Sequence, residues 1–292
     1  MEDHNQPIDL SKAIIHPLPD ERLQKQHITV DVLRLDRIHP VVSGNKWFKL
    51  KYHLRAALQQ HKKGIITFGG AWSNHLVATA FACQQAGLAC IGIVRGEELP
   101  SATLHDARRY GMQLQFVPRS FTYEEAPDDY LVVPMGGQSD WGVAGAAEIL
   151  QTVDRSLYTH IACAMGTGTM MAGLIKASLP HQQVLGVSSL KLPAGNNSLH
   201  DFVEQQGARF RIFYDYHFGG YARKSNELIG FMNELYTQHC LPTDFVYTAK
   251  LLFGVYDLAA RGYFEAGSRL LVIHSGGLQG NRSLPAGTLT FL

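Results

Sequence analysis

His160-Ile161-Ala162-Cys163-Ala164-Met165, then Gly166-Thr167-Gly168-Thr169-Met170, then Met171-Ala172-Gly173 is the stretch whose reading decides the fold. The first segment has the length and apolar character of a buried strand, and the last opens a helix that runs to about residue 178. A strand that passes through a glycine loop into a helix is the unit of a parallel α/β sheet covered on both faces. The glycines let backbone N–H groups approach an anion, the threonine hydroxyls add donors, and the helix N-terminus favours negative charge. The spacing is neither a P-loop nor GxGxxG. A tight packing turn is the competing interpretation, and Met165, Met170 and Met171 read as core filler.

Outward from this unit the same alternation repeats. Strands are expected over 27–35, 64–68, 89–94, 113–117, 131–134, 184–188 and 270–274. Helices are expected from Lys46 onward and over 73–86, 101–110, 141–153, 196–206, 222–238 and 248–262, after an irregular lead over 1–25. Glycines fall repeatedly where strands end: Gly69-Gly70, Gly136-Gly137, Gly166 with Gly168, and Gly276-Gly277. In open α/β sheets that edge is where ligands bind. No internal repeat or linker is visible, so a second domain would be inserted rather than appended.

Two further stretches carry chemistry. In Ser43-Gly44-Asn45-Lys46-Trp47-Phe48-Lys49-Leu50, a tight turn places Lys46 in the first turn of a helix. There the positive end of the helix dipole disfavours its ammonium form. An amine nucleophile needs such help, because a lysine with a pKa of about 10.4 is almost wholly protonated at neutral pH. Solvated helix lysines are the ordinary alternative for Lys46 and Lys49. Phe68-Gly69-Gly70-Ala71-Trp72-Ser73-Asn74-His75 sets a hydroxyl, an amide and an imidazole at a strand-to-helix junction. It is not a GxSxG elbow. Ser73 reads equally as a helix N-cap, and His75 as a pocket wall rather than a base.

Composition narrows the class. The 292 residues allow one large domain or two ordinary ones, and 46% apolar with 17% charged is globular. A net charge of +1 leaves no footprint for nucleic acid or an anionic membrane. The 14 histidines form no HExxH and the four cysteines no CxxC, so no catalytic metal is expected. The polar start Met1-Glu2-Asp3-His4-Asn5-Gln6 shows no secretion signal, and a reducing cytoplasm is expected.

In order along the chain stand Asp36-Arg37-Ile38-His39-Pro40-Val41-Val42-Ser43-Gly44-Asn45-Lys46, then Gly69–His75 and Gly166–Met170. Val246-Tyr247-Thr248-Ala249-Lys250 and His274-Ser275-Gly276-Gly277-Leu278 follow. In this order they resemble the 1-aminocyclopropane-1-carboxylate deaminase / D-cysteine desulfhydrase family over roughly residues 27–285. The resemblance implies pyridoxal 5'-phosphate as cofactor, a small amino acid as substrate and a homodimer. It also implies the tryptophan synthase β-like fold (fold type II): two open, mostly parallel twisted sheets flanked by helices. A large domain would take residues 1–49 and 154–292, and a smaller inserted α/β domain residues 50–153.

Carried over residue by residue, Lys46 would be the Schiff-base lysine and Lys49 its pocket neighbour. Asn74 would bond the cofactor's phenolic oxygen, and Ser73 would meet the substrate carboxylate or act on its protons. Gly166, Thr167, Gly168, Thr169 and Met170 would hold the phosphate. Tyr247 would be an active-site tyrosine, and Thr248 the partner of the pyridine nitrogen. His75 and Tyr221 would line the substrate pocket.

Two departures bear on the reaction. The cyclopropane deaminases carry glutamate where Thr248 stands. They also carry another tyrosine near His217-Phe218-Gly219-Gly220-Tyr221, where either Phe218 or Tyr221 takes its place. The expected activity is β-elimination, with D-cysteine giving pyruvate, sulfide and ammonia. The alternatives are deamination of the cyclopropane amino acid to 2-oxobutanoate and ammonia, and a catalytically inactive cofactor-binding protein. A nicotinamide enzyme would need a fingerprint that the chain lacks.

Overall fold

The computed structural model describes residues 7–123, 127–193, 196–207 and 209–292. The polar start Met1–Gln6 lies outside the described residues. The strands are β1 Ile14–Pro17, β2 Thr29–Arg34, β3 Gly64–Gly69, β4 Ala89–Arg95, β5 Met112–Val117, β6 Tyr130–Val133, β7 His160–Met165, β8 Gln183–Ser188, β9 Phe210–Phe213 and β10 Arg269–His274. The helices are α1 Glu21–Gln24, α2 Asn45–Gln59, α3 Asn74–Gln85, α4 Ala102–Arg109, α5 Asp140–Ala147, α6 Thr169–Ala177, α7 Ser198–Glu204, α8 Asn226–His239 and α9 Thr248–Ala260. One sheet runs β1-β2-β10-β7-β8-β9 and the other β5-β4-β3-β6. Among the described residues, every pairing is parallel except β1 with β2.

The alternation expected of strands buried on both faces is visible in β7 and β10. Ile161, Cys163, Met165, Leu271 and Ile273 pack into one core with Phe48, Val143 and Leu174. Their neighbours Ala162, Ala164, Leu270 and Val272 pack into another with Leu251, Leu252 and Val255. Successive side chains point to opposite faces, so one short run supplies both cores. A third core, with Ile65, Leu76, Phe81 and Val94, serves the four-stranded sheet.

Two strands were not anticipated, β1 within the irregular lead and β9. Both lie at the edges of the larger sheet and are four residues long. β1 ends in Pro17, a residue that an edge strand admits because one of its sides needs no N–H donor. The helix expected over 141–153 ends as α5 at Ala147 and continues as a 3-10 turn, Glu148–Gln151.

The helices that carry the sequence motifs are drawn together by close contacts. A Cβ on Gly145 of α5 would lie 1.8 Å from the Phe48 carbonyl oxygen of α2. One on Gly173 of α6 would lie 2.6 Å from the Ala146 side chain of α5. A further constraint, of conformation as well as space, falls on the turn before Lys46. Gly44 has φ +65° and ψ −141°, a backbone conformation that only glycine adopts readily. Its place for a Cβ is 1.9 Å from the Ser275 carbonyl oxygen and 2.5 Å from the Gly276 nitrogen. The Asn45 N–H donates to that same Ser275 carbonyl at 3.3 Å. The turn that presents Lys46 is thus seated on the segment after β10.

Gly44→Ala should therefore destabilise the fold by at least about 2 kcal/mol, from backbone strain plus a backbone clash. Urea unfolding checks this; a midpoint equal to the parent protein's would contradict the close approach.

Candidate active site

The segments after β3, β6, β7 and β10 converge on a cavity of about 260 Å³. Its wall includes Lys46, Lys49, Ser73, Asn74, His75, Gly166–Met170, Tyr221, Tyr247 and Ser275. Every residue expected from the sequence to form the site is on that wall except Thr248. Phe218 packs edge-on against Phe253, 5.0 Å between ring centres, so Tyr221 is the member of its loop that reaches the cavity.

Lys46 is half-buried and its Nζ donates to Asn45 Oδ1 at 2.7 Å. Asn45 in turn donates to the Met170 sulfur at 3.3 Å, which links the lysine turn to the start of α6. Burial pushes the Lys46 amine down to about 8, and the Asp244 carboxylate opposes that shift. Removal from water is thus the leading cause, where the sequence argument had placed the helix dipole. Lys49 is 5% exposed and its side chain makes no hydrogen bond or ion pair among the described residues. Burial first, and the charge of Lys46 second, hold its amine well below the ordinary lysine range.

The polar groups around the lysines are arranged for a ligand. Gly168 occupies the N-cap of α6 with φ +81°, and no side chain caps that helix. Ser73 stands at the N-cap of α3, as expected, but makes no capping bond, so its hydroxyl is uncommitted. Both helices open toward the cavity with unsatisfied N–H groups and the positive end of their dipoles. His75 Nε2 lies 2.9 Å from the Thr67 hydroxyl, whose own proton goes to the Val133 carbonyl at 2.8 Å. The ring must therefore donate from Nε2 and leave Nδ1 as a bare acceptor. Burial, then the charges of Lys49 and Lys46, push its pKa well below the ordinary value and keep it neutral. His75 Nδ1 and Asn74 Oδ1 are both buried without a partner.

Thr248 stands apart from the other expected residues. It is 1% exposed, and its hydroxyl donates to Asp244 Oδ1 at 2.7 Å while accepting from the Asp244 N–H at 2.8 Å. That proton is given to Asp244 in this structure, and Thr248 does not line the cavity. Asp244, which sequence reasoning passed over, is fully buried and takes the N–H groups of Val246, Tyr247 and Thr248. It caps α9 with a carboxylate, whereas α3 and α6 are left open. Ser275 was also passed over. It lies on the cavity wall, and its hydroxyl has no partner among the described residues. Ser275 stands inside the quoted His274–Leu278 motif, whereas Asp244 lies two residues before the Val246–Lys250 motif and carried no local signal.

Tyr247 and Tyr221 meet edge-on, ring centres 6.1 Å apart. Burial raises both phenols above their ordinary pKa, Tyr247 strongly, so both are protonated at neutral pH. Gly166 makes room for this pair: a Cβ there would lie 3.3 Å from the Tyr247 ring.

These residues fit pyridoxal phosphate. An uncapped helix behind a glycine loop suits a phosphate. The orphaned atoms of Asn74 and His75 call for polar partners inside the cavity. A low-pKa amine suits the aldehyde. If Lys46 carries the cofactor, the rate at which apoprotein takes up pyridoxal phosphate should rise with pH through about 8 and then level off, because only the neutral amine attacks. A rate still climbing at about pH 10, as for an unperturbed lysine, would contradict this.

Known proteins agree with the geometry. A family model described as "Pyridoxal-phosphate dependent enzyme" matches residues 16–276. A putative 1-aminocyclopropane-1-carboxylate deaminase of Pyrococcus horikoshii is 30% identical over 266 residues, covering 82% of this chain and 81% of that protein. A D-cysteine desulfhydrase of Serratia proteamaculans is 26% identical, covering 84% and 86%. Among solved structures, an ACC deaminase homologue superposes with a TM-score of 0.79 at 24% identity, covering 92% of this chain and 90% of that one. Threonine deaminase isoform 2 of Solanum lycopersicum superposes at 0.63 and 16% identity, over 91% and 79%. The expected tryptophan synthase β-like arrangement of two mostly parallel sheets is present. The chain belongs to the pyridoxal-phosphate-dependent enzymes, in the family of the 1-aminocyclopropane-1-carboxylate deaminases and D-cysteine desulfhydrases.

Proposed function

We propose that the protein is a pyridoxal-phosphate-dependent β-eliminating deaminase of small amino acids, with D-cysteine as its preferred substrate. Bound pyridoxal phosphate supplies the electron sink for negative charge at the substrate Cα. The N-terminus of α6 with Gly166–Met170 would hold the phosphate, and Lys49 would add positive charge. Asn74 would orient the ring, and Ser73 with the open end of α3 would take the substrate carboxylate. Lys46, once displaced by the substrate amine, would take the Cα proton; Tyr247 and Tyr221 are protonated and suited to give a proton back. The Cβ–S bond then breaks and the thiol leaves as sulfide. Water completes deamination to pyruvate and ammonia.

One observation carries this reading over its alternative. The cavity wall contains two lysines and no aspartate or glutamate among the described residues. A carboxylate beside a ring nitrogen would favour its protonated form and deepen the sink. A wall without a carboxylate suits a substrate whose leaving group departs readily, such as a thiol, better than one that must break a carbon–carbon bond. The alternative, deamination of 1-aminocyclopropane-1-carboxylate to 2-oxobutanoate and ammonia, is favoured by Tyr221, which lines the cavity where that activity uses a second tyrosine. The same reading takes residues 50–153 as the smaller inserted domain and the molecule as a cytoplasmic homodimer. The free thiols of Cys83, Cys90, Cys163 and Cys240 support a reducing compartment. No helix among the described residues is long and apolar enough to cross a membrane.

The test is 2-oxo acid release by the yellow holoenzyme from D-cysteine, D-serine, β-chloro-D-alanine, their L-forms and the cyclopropane amino acid. Pyruvate from D-cysteine, with a kcat/KM at least tenfold (roughly 1.4 kcal/mol) above that for the cyclopropane substrate, is expected. Efficient release of 2-oxobutanoate would establish the alternative, and no turnover of any substrate would overturn both.

A further inference from the structure

Of the Val246–Lys250 motif the proposed reaction uses only Tyr247, which leaves its lysine, Lys250, without a role. It lies on α9 and is fully buried, yet among the described residues it forms no ion pair. Its Nζ donates instead to two carbonyl oxygens, those of His217 and Gly220, at 2.8 Å each. A buried cation without a carboxylate in contact is costly and calls for a reason. The Asp244 carboxylate lies near enough to favour its charged form, while burial lowers its pKa to about 8.

The two carbonyls belong to the loop that carries Tyr221. Its backbone is strained on both sides of the tyrosine: Phe218 has φ +51° and Ala222 φ +52°, with Gly219 at +93° and Gly220 at +122° between. Non-glycine residues hold such conformations only where the surroundings over-determine them. Within the loop, the Gly220 N–H donates to His217 O at 3.0 Å and the Arg223 N–H to Gly220 O at 3.1 Å. The same two oxygens therefore close the turn and receive the ammonium. Phe218 anchors the loop on one side, against Phe253. Tyr221 itself is 42% exposed, and its ring packs edge-on against Tyr247. Its partner Tyr247 stands three residues before Lys250, so the first turn of α9 presents one tyrosine directly and grips the loop of the other.

We propose that Lys250 is a positioning residue, which fixes Tyr221 against Tyr247 by clamping the carbonyls of His217 and Gly220. The consequence for turnover rests on the cavity being the active site, but the clamp itself does not.

The experiment compares the parent holoenzyme with Lys250→Met, Tyr221→Phe and the double variant. Arg223 and Lys224 are exposed, so trypsin reports on the loop without turnover. Lys250→Met should be cut after these residues at least about tenfold faster, and Tyr221→Phe at the parent rate. On the active substrate, both single variants should lose kcat by about tenfold or more with bound cofactor retained. The double variant should fall no further than the worse single, because the lysine acts through the tyrosine. Parent-like cleavage in Lys250→Met, or losses that multiply in the double variant, would overturn the proposal. A faster cut with no turnover in any form would uphold the clamp and count against the assigned reaction instead. Should Lys250→Met not fold, Lys250→Gln, which keeps two N–H donors, takes its place with an intermediate cleavage rate expected. Failure of both to fold would mark Lys250 as general core and refute a specific positioning role.

Discussion

The close approach of Gly44 to Ser275 and Gly276 is the contact on which the rest of the site depends. It joins two segments more than two hundred residues apart and leaves no room for a single methyl group. Through it, the first turn of α2 is referred to the carboxyl end of β10, and β10 pairs with β7, whose glycine loop opens α6. The amine of Lys46 and the phosphate-type cup thus share one rigid frame. The Asn45 bridge from Lys46 to Met170 closes the circuit on the ligand side.

Charge is distributed in the cavity with the same economy. Four helices begin near it, and α9 alone is capped by an acid, Asp244. α3 and α6 are left open, and a half-buried and a buried lysine, Lys46 and Lys49, face the same space without a counter-ion on the wall. Unpaired like charges of this kind are unstable unless an anion completes them. A phosphorylated cofactor and an amino-acid carboxylate are two such anions. Depressed lysine pKa values, a neutral His75 and protonated tyrosines are the electrostatic result of that design, and each follows chiefly from burial.

Much of this was legible in the sequence because strand–glycine–helix junctions are strong local signals. The strands β3, β7 and β10 are largely apolar runs with glycines at or just beyond their carboxyl ends, and the ligand edge follows from where those glycines fall. Lys46, Ser73, Asn74 and Tyr247 were reached through motifs rather than periodicity. What escaped depended on contacts distant in sequence or on edge position. β1 and β9 are too short and too exposed to announce themselves. The committed hydroxyl of Thr248 could not be foreseen, because an aspartate four residues earlier reads as an ordinary turn residue until its burial is known. Lys250 had the same history: nothing local shows that its ammonium reaches the carbonyls of a loop thirty residues away.

The central claim is that this frame selects one lysine, Lys46, out of three buried or half-buried ones that surround the site. Reduction of the holoenzyme with borohydride, followed by peptide mapping, tests it directly. The account predicts a single pyridoxyl label, on Lys46. A label on Lys49 or on Lys250 would contradict it.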